Sequence, residues 1–338
     1  MRLLCSPWRL RVGDQVAMTM AVAACVSALG LAMPQAQAAD IRVVDDSGAA
    51  LVLREPARRI ISLAPHLTEL LFAVGAGDRL VGVVAHSDHP AQALALPRIG
   101  DSAQLDLERI VALRPDLVVA WDSGNAAPQL LRLAALGLTI YRSEARSFAD
   151  ISSTLRRLGQ LTAQDSVARN RADVFDASSA SLRERYAARR ELSVFYQIWH
   201  QPFLTVNGSH LISQALTLCG ARNVFADLRA LTPSVSEEAV LVANPQAIVT
   251  GSVDTVGRDN LDRWRQRKGL RAQALGNLIV INPDTLHRAS ERIVDGVAEL
   301  CEKLDVARVR SAATGPAQPP GLAPPAQRPA VPTLKSPG

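Results

Sequence analysis

The stretch LERIVALRPDLVVAW, which begins at Leu107, returns in worn form as EEAVLVANPQAIVTG, which begins at Glu237. Each copy reads as a short apolar helix, a turn closed by proline and a β-branched strand, and the copies lie about 130 residues apart. Aligned, Glu108 meets Glu238, Pro115 meets Pro245, and the run from Leu117 meets the run from Ala247. A single helix–strand unit cannot bury its apolar face alone. A chain that writes the unit twice at this distance therefore points to two similar α/β lobes.

The rest of the central sequence agrees. RIISLAP, LVGVVA, DLVVAW and LTIYRS read as buried strands, separated by the helical stretches HLTELLFAVG, LERIVALR and residues 128–136. Further on, SVFYQI, QAIVTG and LIVIN are strands, and HLISQALTLC, EEAVLVAN and SERIVDGVAELCEKL are helices. Such alternation predicts mainly parallel sheets covered on both faces. Residues 148–161 read as one helix and 164–189 as a longer one without Pro or Gly, which would span roughly 35 to 40 Å. The expected map is a signal segment at 1–38, an N-terminal lobe at 39–147, connecting helices at 148–191, a C-terminal lobe at 192–306 and a disordered Pro/Ala-rich tail at 307–338.

Arg2, Arg9 and Arg11, the apolar run 16–33 and the Ala36-Gln37-Ala38 site form an export-signal pattern. A membrane anchor is the rival, but the run is short for a spanning helix. Lipidation at Cys25, in Val22-Ala23-Ala24-Cys25, is the alternative to cleavage. The formal charge is +5; setting aside the net +2 of residues 1–38 and the net +4 of residues 307–338 leaves about −1 on the folded part. A near-neutral body argues against nucleic acid as the partner, since phosphate binding needs a basic face. Once Cys5 and Cys25 leave with the signal, Cys219 and Cys301 remain. An even remainder in an oxidising compartment suggests one disulfide, the alternative being two buried thiols.

In parallel α/β sheets, ligands bind beyond the carboxyl ends of the strands. His66 follows RIISLAP; His86, Ser87, Asp88 and His89 follow LVGVVA; Trp121 ends DLVVAW; Trp199 and His200 follow SVFYQI; Asp284, His287 and Arg288 follow LIVIN. Two such edges facing each other make a cleft, with Trp121 and Trp199 as candidate walls. There is no G-x-S-x-G, P-loop, H-E-x-x-H or C-x-x-C, so no catalytic set is assigned and the chain is read as no enzyme.

The stretches TELLFAVGAGDRLVGVVAHSDHP, VNGSHLISQALTLCGARNVF and RASERIVDGVAELCEKL, with the repeated unit, resemble the helical-backbone class of periplasmic binding proteins, and within it the cobalamin receptors. These receptors serve ABC importers of metal chelates. The resemblance implies a periplasmic carrier that takes cobalamin or a related corrinoid to an inner-membrane ABC permease dimer, and the carrier is read as a monomer. A cobalamin-contacting tyrosine of the family falls on His86 and an indole wall on Trp121. A contact segment falls on Asp284, Thr285, Leu286, His287 and Arg288, keeping only its end residues. Two further pocket tryptophans fall on Ser102 and Thr232. The resemblance also implies that Cys219 and Cys301 are bridged, and that Glu108 and Glu238 dock on permease arginines, each expected at the end of its unit away from the ligand. The alternative ligands are haem, a ferric siderophore or a free metal held by His66, His86, His200 and His287. A periplasmic metal-dependent hydrolase is the distant reading.

Overall fold

The computed structural model describes residues 40–252 and 261–313. The signal segment with Cys5 and Cys25, and residues 314–338, lie outside the described residues. The N-terminal lobe opens with an antiparallel hairpin, β1 (Ile41–Val44) and β2 (Ala50–Leu53), which has no counterpart in the sequence reading. It continues with β3 (Ile60–Ser62), α1 (Pro65–Ala73), β4 (Leu80–Val83), α2 (Leu107–Ala112), β5 (Leu117–Trp121), α3 (Ala127–Ala135) and β6 (Ile140–Ser143). Next come α4 (Phe148–Leu161) and α5 (Asp165–Tyr186). The C-terminal lobe contains β7 (Leu192–Gln197), a small hairpin β8 (Trp199–His200) and β9 (Phe203–Leu204), α6 (Leu211–Leu218), β10 (Ala221–Asn223), α7 (Glu237–Ala243), β11 (Ala247–Gly251), α8 (Arg271–Ala274), β12 (Leu278–Ile281), α9 (Pro283–Leu286) and α10 (Ile293–Ala313).

The two main sheets are parallel throughout and share one topology, β4-β3-β5-β6 and β10-β7-β11-β12. Strands β5 and β11 occupy the same place in each and are buried along their length except at the last residue. That is the burial expected for the unbroken apolar runs of the repeat. The helices ahead of them begin alike: Asp106 caps α2 by accepting from the Arg109 N–H, and Ser236 caps α7 by accepting from the Ala239 N–H. Both copies then turn through a left-handed residue just before the proline, Arg114 (φ 46°) and Asn244 (φ 40°).

The connection is a helical hairpin. A Ser147/Asp150 capping box starts α4. At its far end Gly159 lies so close to α5 that an added Cβ would stand 2.3 Å from the Ala168 Cβ. Helix α5, about 33 Å long at 1.5 Å per residue, ends at Tyr186, short of the expected residue 189. One continuous core runs from Ile60 and Val119 through Leu155, Leu158 and Phe175 to Val194, Val249 and Leu300, so the lobes and the hairpin share apolar packing. Residues 307–313, expected in the tail, belong to α10. Ala307 and Ser311 are buried there, and Arg308 caps neighbouring segments by donating to the carbonyls of Arg190, Cys219 and Gly220. Cys219 and Cys301 are bridged, with Cα atoms 4.9 Å apart, pinning the end of α6 to α10.

Candidate functional site

A cavity of about 600 Å³ lies between the lobes. Pro65 and His66 at the start of α1, Trp121 at the end of β5, and Ser123, Glu144, Ala145 and Arg146 beyond the strand ends supply its N-terminal wall, with Ser102 from the loop before α2. Ile198 after β7, His210, Leu211 and Ile212 at the start of α6, Leu231, Thr232, and His287, Arg288 and Ala289 after α9 supply the other wall. The size falls within the range of small-molecule sites, and most of the accessible wall surface is apolar although polar side chains are interspersed along it.

Two glycines decide how the rings fit. Trp121 lies against Gly124, where a Cβ would stand 1.8 Å from the indole. In the C-terminal lobe the position aligned with Trp121 is Gly251, and a Cβ there would stand 2.7 Å from the His287 ring. One lobe thus places an aromatic on the strand end; the other leaves the end bare and fills the space with an imidazole.

Three imidazoles line the cavity. His66 meets Trp121 edge to face, centroids 5.3 Å apart. His210 caps α6, its Nδ1 accepting from the Ile212 N–H at 3.1 Å, so the ring proton sits on Nε2. His287 Nε2 shares a 2.7 Å hydrogen bond with the Tyr196 hydroxyl. Burial lowers each of the three to about 4, with the charge of Arg288 adding for His66 and His287 adding for His210, while Asp284 works against the shift at His287. All are neutral at pH 7. Their folded values lie below the ordinary 6.5, so the stability they contribute is complete above about pH 6.5 and is lost as pH falls towards 4. The urea midpoint of the ligand-free protein should fall across that window. A constant midpoint would mean that the rings are open to water.

Below the cavity the lobes are latched. Glu69 of α1 is only 4 % exposed. It accepts from Arg288 Nη1 (2.9 Å), Arg292 Nη1 (3.2 Å) and the Ser290 hydroxyl (2.6 Å), all from the opposite lobe. Arg288 also donates to Asp88 (2.7 Å) and Asp284 (3.0 Å). Burial opposes its charge, but hydrogen bonds to Asp88 and Glu69 outweigh this and raise Arg288 above the ordinary arginine value. Its guanidinium is engaged with three carboxylates of the protein.

Of the residues picked out by sequence, the cavity brings together Trp121, His287 and Arg288, with His66 from the metal alternative. Ser102 and Thr232, where the resemblance sets two family tryptophans, also line it. The others stand outside. His86 is exposed in a left-handed turn (φ 62°), while the next residue, Ser87, is drawn inward to Thr68. Trp199 is 55 % exposed on β8 and packs at a tilt of 34° against His200. The short helix α9 turns Leu286 into the core, ties Thr285 back to the Asn282 carbonyl and gives Asp284 to Arg288. Among the described residues no three His, Cys, Asp or Glu side chains are grouped to hold a metal ion, and the four histidines of the free-metal alternative are not gathered. His210, Glu144, Arg146 and the apolar wall were not found by sequence. His210 follows the β8–β9 hairpin rather than a strand of the main sheet, so a search of strand ends passes over it.

Glu108 and Glu238 are both exposed in the first turn of their helices. Each follows, six residues on, a cavity residue, Ser102 and Thr232. A helix that packs antiparallel to its strand starts at the edge where the strand ends. The glutamates therefore belong to the cleft edge of each lobe, not the end away from the ligand. Glu237, the neighbour of Glu238, is instead buried and paired with Arg263 and Arg267.

A sequence profile of the family described as periplasmic binding protein matches residues 60–285. The chain belongs to that family. It is 38% identical over 253 residues to the vitamin B12-binding protein of Vibrio cholerae serotype O1, covering 75% of this chain and 91% of that protein. The namesake from Yersinia pestis is 37% identical over 250 residues, covering 74% and 87%. The fold matches the crystal structure of the periplasmic vitamin B12 binding protein BtuF of Vibrio cholerae with a TM-score of 0.70 and 37% identity, covering 75% of this chain and 98% of that one. It also matches the periplasmic heme-binding protein RhuT from Roseiflexus sp. RS-1 at a TM-score of 0.67 and 21% identity, over 74% and 99%, a likeness of fold alone. As a periplasmic binding protein the molecule is a substrate carrier rather than an enzyme, which sets the hydrolase reading aside.

Proposed function

We propose that this periplasmic binding protein captures cobalamin or a related corrinoid in the cleft and delivers it to an inner-membrane ABC permease dimer. The observation that carries this reading is the interlobe cavity of about 600 Å³, with its indole and neutral imidazoles, in a chain 38% identical to a vitamin B12-binding protein. The apolar walls and Trp121 suit the faces of a flat macrocycle, and His210 offers a neutral N–H to a peripheral carbonyl. Because Arg288 is held by three carboxylates, it orients the wall rather than serving as a primary ligand contact. The protein would act as a monomer, exported by a cleavable signal, with an anchor at Cys25 as the alternative. Calorimetry with cyanocobalamin and haemin tests the ligand: a nanomolar corrinoid complex corresponds to about −12 kcal/mol. Heat with haemin and none with any corrinoid would transfer the assignment to haem.

The exposed glutamates at equivalent places of the two lobes, each three residues ahead of an exposed apolar side chain (Val111, Leu241), support docking on a permease of two equivalent halves. Exposed ion pairs contribute only about 0.2 to 1 kcal/mol each, which suits orientation and encounter more than tight binding. Glu108→Ala combined with Glu238→Ala should slow vesicle uptake by about ten-fold or more at unchanged corrinoid affinity. A comparable loss of affinity would place both residues in ligand binding instead.

A further inference from the structure

The three cavity imidazoles are not equivalent. His210 spends its Nδ1 lone pair on the Ile212 N–H, and His287 engages Nε2 with Tyr196. His66 makes no hydrogen bond or ion pair with any described residue, and its ring packs edge to face on Trp121. Yet it is only 8 % exposed and lines the cavity. Its ring nitrogens are not sealed in the core, so their unused donor and acceptor are open to whatever fills the cavity. The ring is also well placed: Pro65 fixes the first turn of α1, and Trp121, seated on Gly124, bears on it at an interplanar angle of 88°.

A neutral imidazole is an ordinary nitrogen donor to transition metals. His66 brings no companions, since among the described residues no group of three metal-binding side chains exists. A bare cation would find no cage here. A metal already ringed by its own chelate, with one exchangeable axial position, needs only one donor. Resting on the corrinoid reading above, we propose that His66 gives a ring nitrogen to the axial position of the bound corrinoid's cobalt. The nitrogen lone pair forms the Co–N bond as the Co–O bond to a coordinated water breaks. The water leaves with both its protons, the ring keeps its N–H on the other nitrogen, and cobalt does not change oxidation state. The site would thereby favour corrinoids whose axial water can be exchanged over those whose axial position is held by carbon.

The test compares aquocobalamin with cyanocobalamin and methylcobalamin on the intact protein, by visible absorption and calorimetry. The wild-type protein should bind all three and shift the visible bands of aquocobalamin alone, in the manner of imidazole replacing water. His66→Ala should abolish the shift and lose about ten-fold or more affinity for aquocobalamin, while losing less than about three-fold for cyanocobalamin. Binding of cyanocobalamin by the variant shows that it is folded. Aquocobalamin bound without a shift, or a shift that persists in His66→Ala, overturns the ligation and leaves the carrier reading standing. Failure of every corrinoid to bind overturns both.

Discussion

Replacing Glu69 with alanine is expected to remove about 3 kcal/mol of folding stability and to loosen the lobes against each other. The carboxylate is almost wholly buried, and its three side-chain partners all come from the opposite lobe, more than 200 residues away in sequence. Truncating one side of a buried, hydrogen-bonded pair leaves the other side charged and dry, at about 3 to 5 kcal/mol. The lower end applies because Arg288 keeps Asp88 and Asp284. Glu69→Gln should lose less, since an amide still accepts from Ser290. Urea unfolding at pH 7 reads the stability, and small-angle scattering reads the spread of the lobes. The latch also lies next to the site: His66 is three residues before Glu69 on α1, and Arg288 and Ala289 line the cavity. Corrinoid release should therefore quicken. If Glu69→Ala unfolds within about 0.5 kcal/mol of wild type, the pair behaves as a surface bridge and does not latch the lobes.

This latch shows where sequence stops being informative. The repeated helix–proline–strand unit contained the architecture because its apolar runs specify buried parallel strands and its spacing specifies two of them. Strand ends contained part of the site, since Trp121 ends β5 and His66 follows β3 in the first turn of α1. The rule failed where the chain does not turn straight back after a strand. Beyond β7 it enters the β8–β9 hairpin, so Ile198 reaches the cavity while Trp199 goes to solvent and half-buried His200 lies outside the cavity lining. Likewise, residues 284–288 resemble one contact segment in sequence, but helical turning in α9 sends Leu286 to the core and leaves only His287 and Arg288 at the wall. Glu69 in TELLF reads as an ordinary polar helix position. Its partners are set by how the lobes meet, and no local pattern encodes that meeting. The pairing of Gly251 with His287 is of the same kind: it becomes visible only when two segments are seen to share one space.

Breaking the Cys219–Cys301 bridge should cost up to about 4.5 kcal/mol, the chain-entropy value for the 82-residue separation it closes. For a domain of this size that is a fall in Tm on the order of 10 °C. Both cysteines are fully buried, so reduction waits for local opening and should be slow without denaturant. Keeping the sulfurs in place makes reduction a cleaner experiment than mutation, because Cys→Ala at both sites adds the loss of buried volume to the loss of constraint. The mechanism can be told from the shape of the unfolding curve. If the bridge acts on the unfolded chain, the reduced protein exposes more surface on unfolding and the urea m-value rises as the midpoint falls. A lower midpoint at constant m would instead place the effect in the native contact between α6 and α10. That contact bears on ligand binding: α6 carries His210, Leu211 and Ile212 into the cavity at one end and is anchored by Cys219 at the other. With the anchor released, the C-terminal wall is free to shift relative to α10. Corrinoid affinity should fall in step with stability, and affinity held constant through full reduction would mean that packing alone fixes α6.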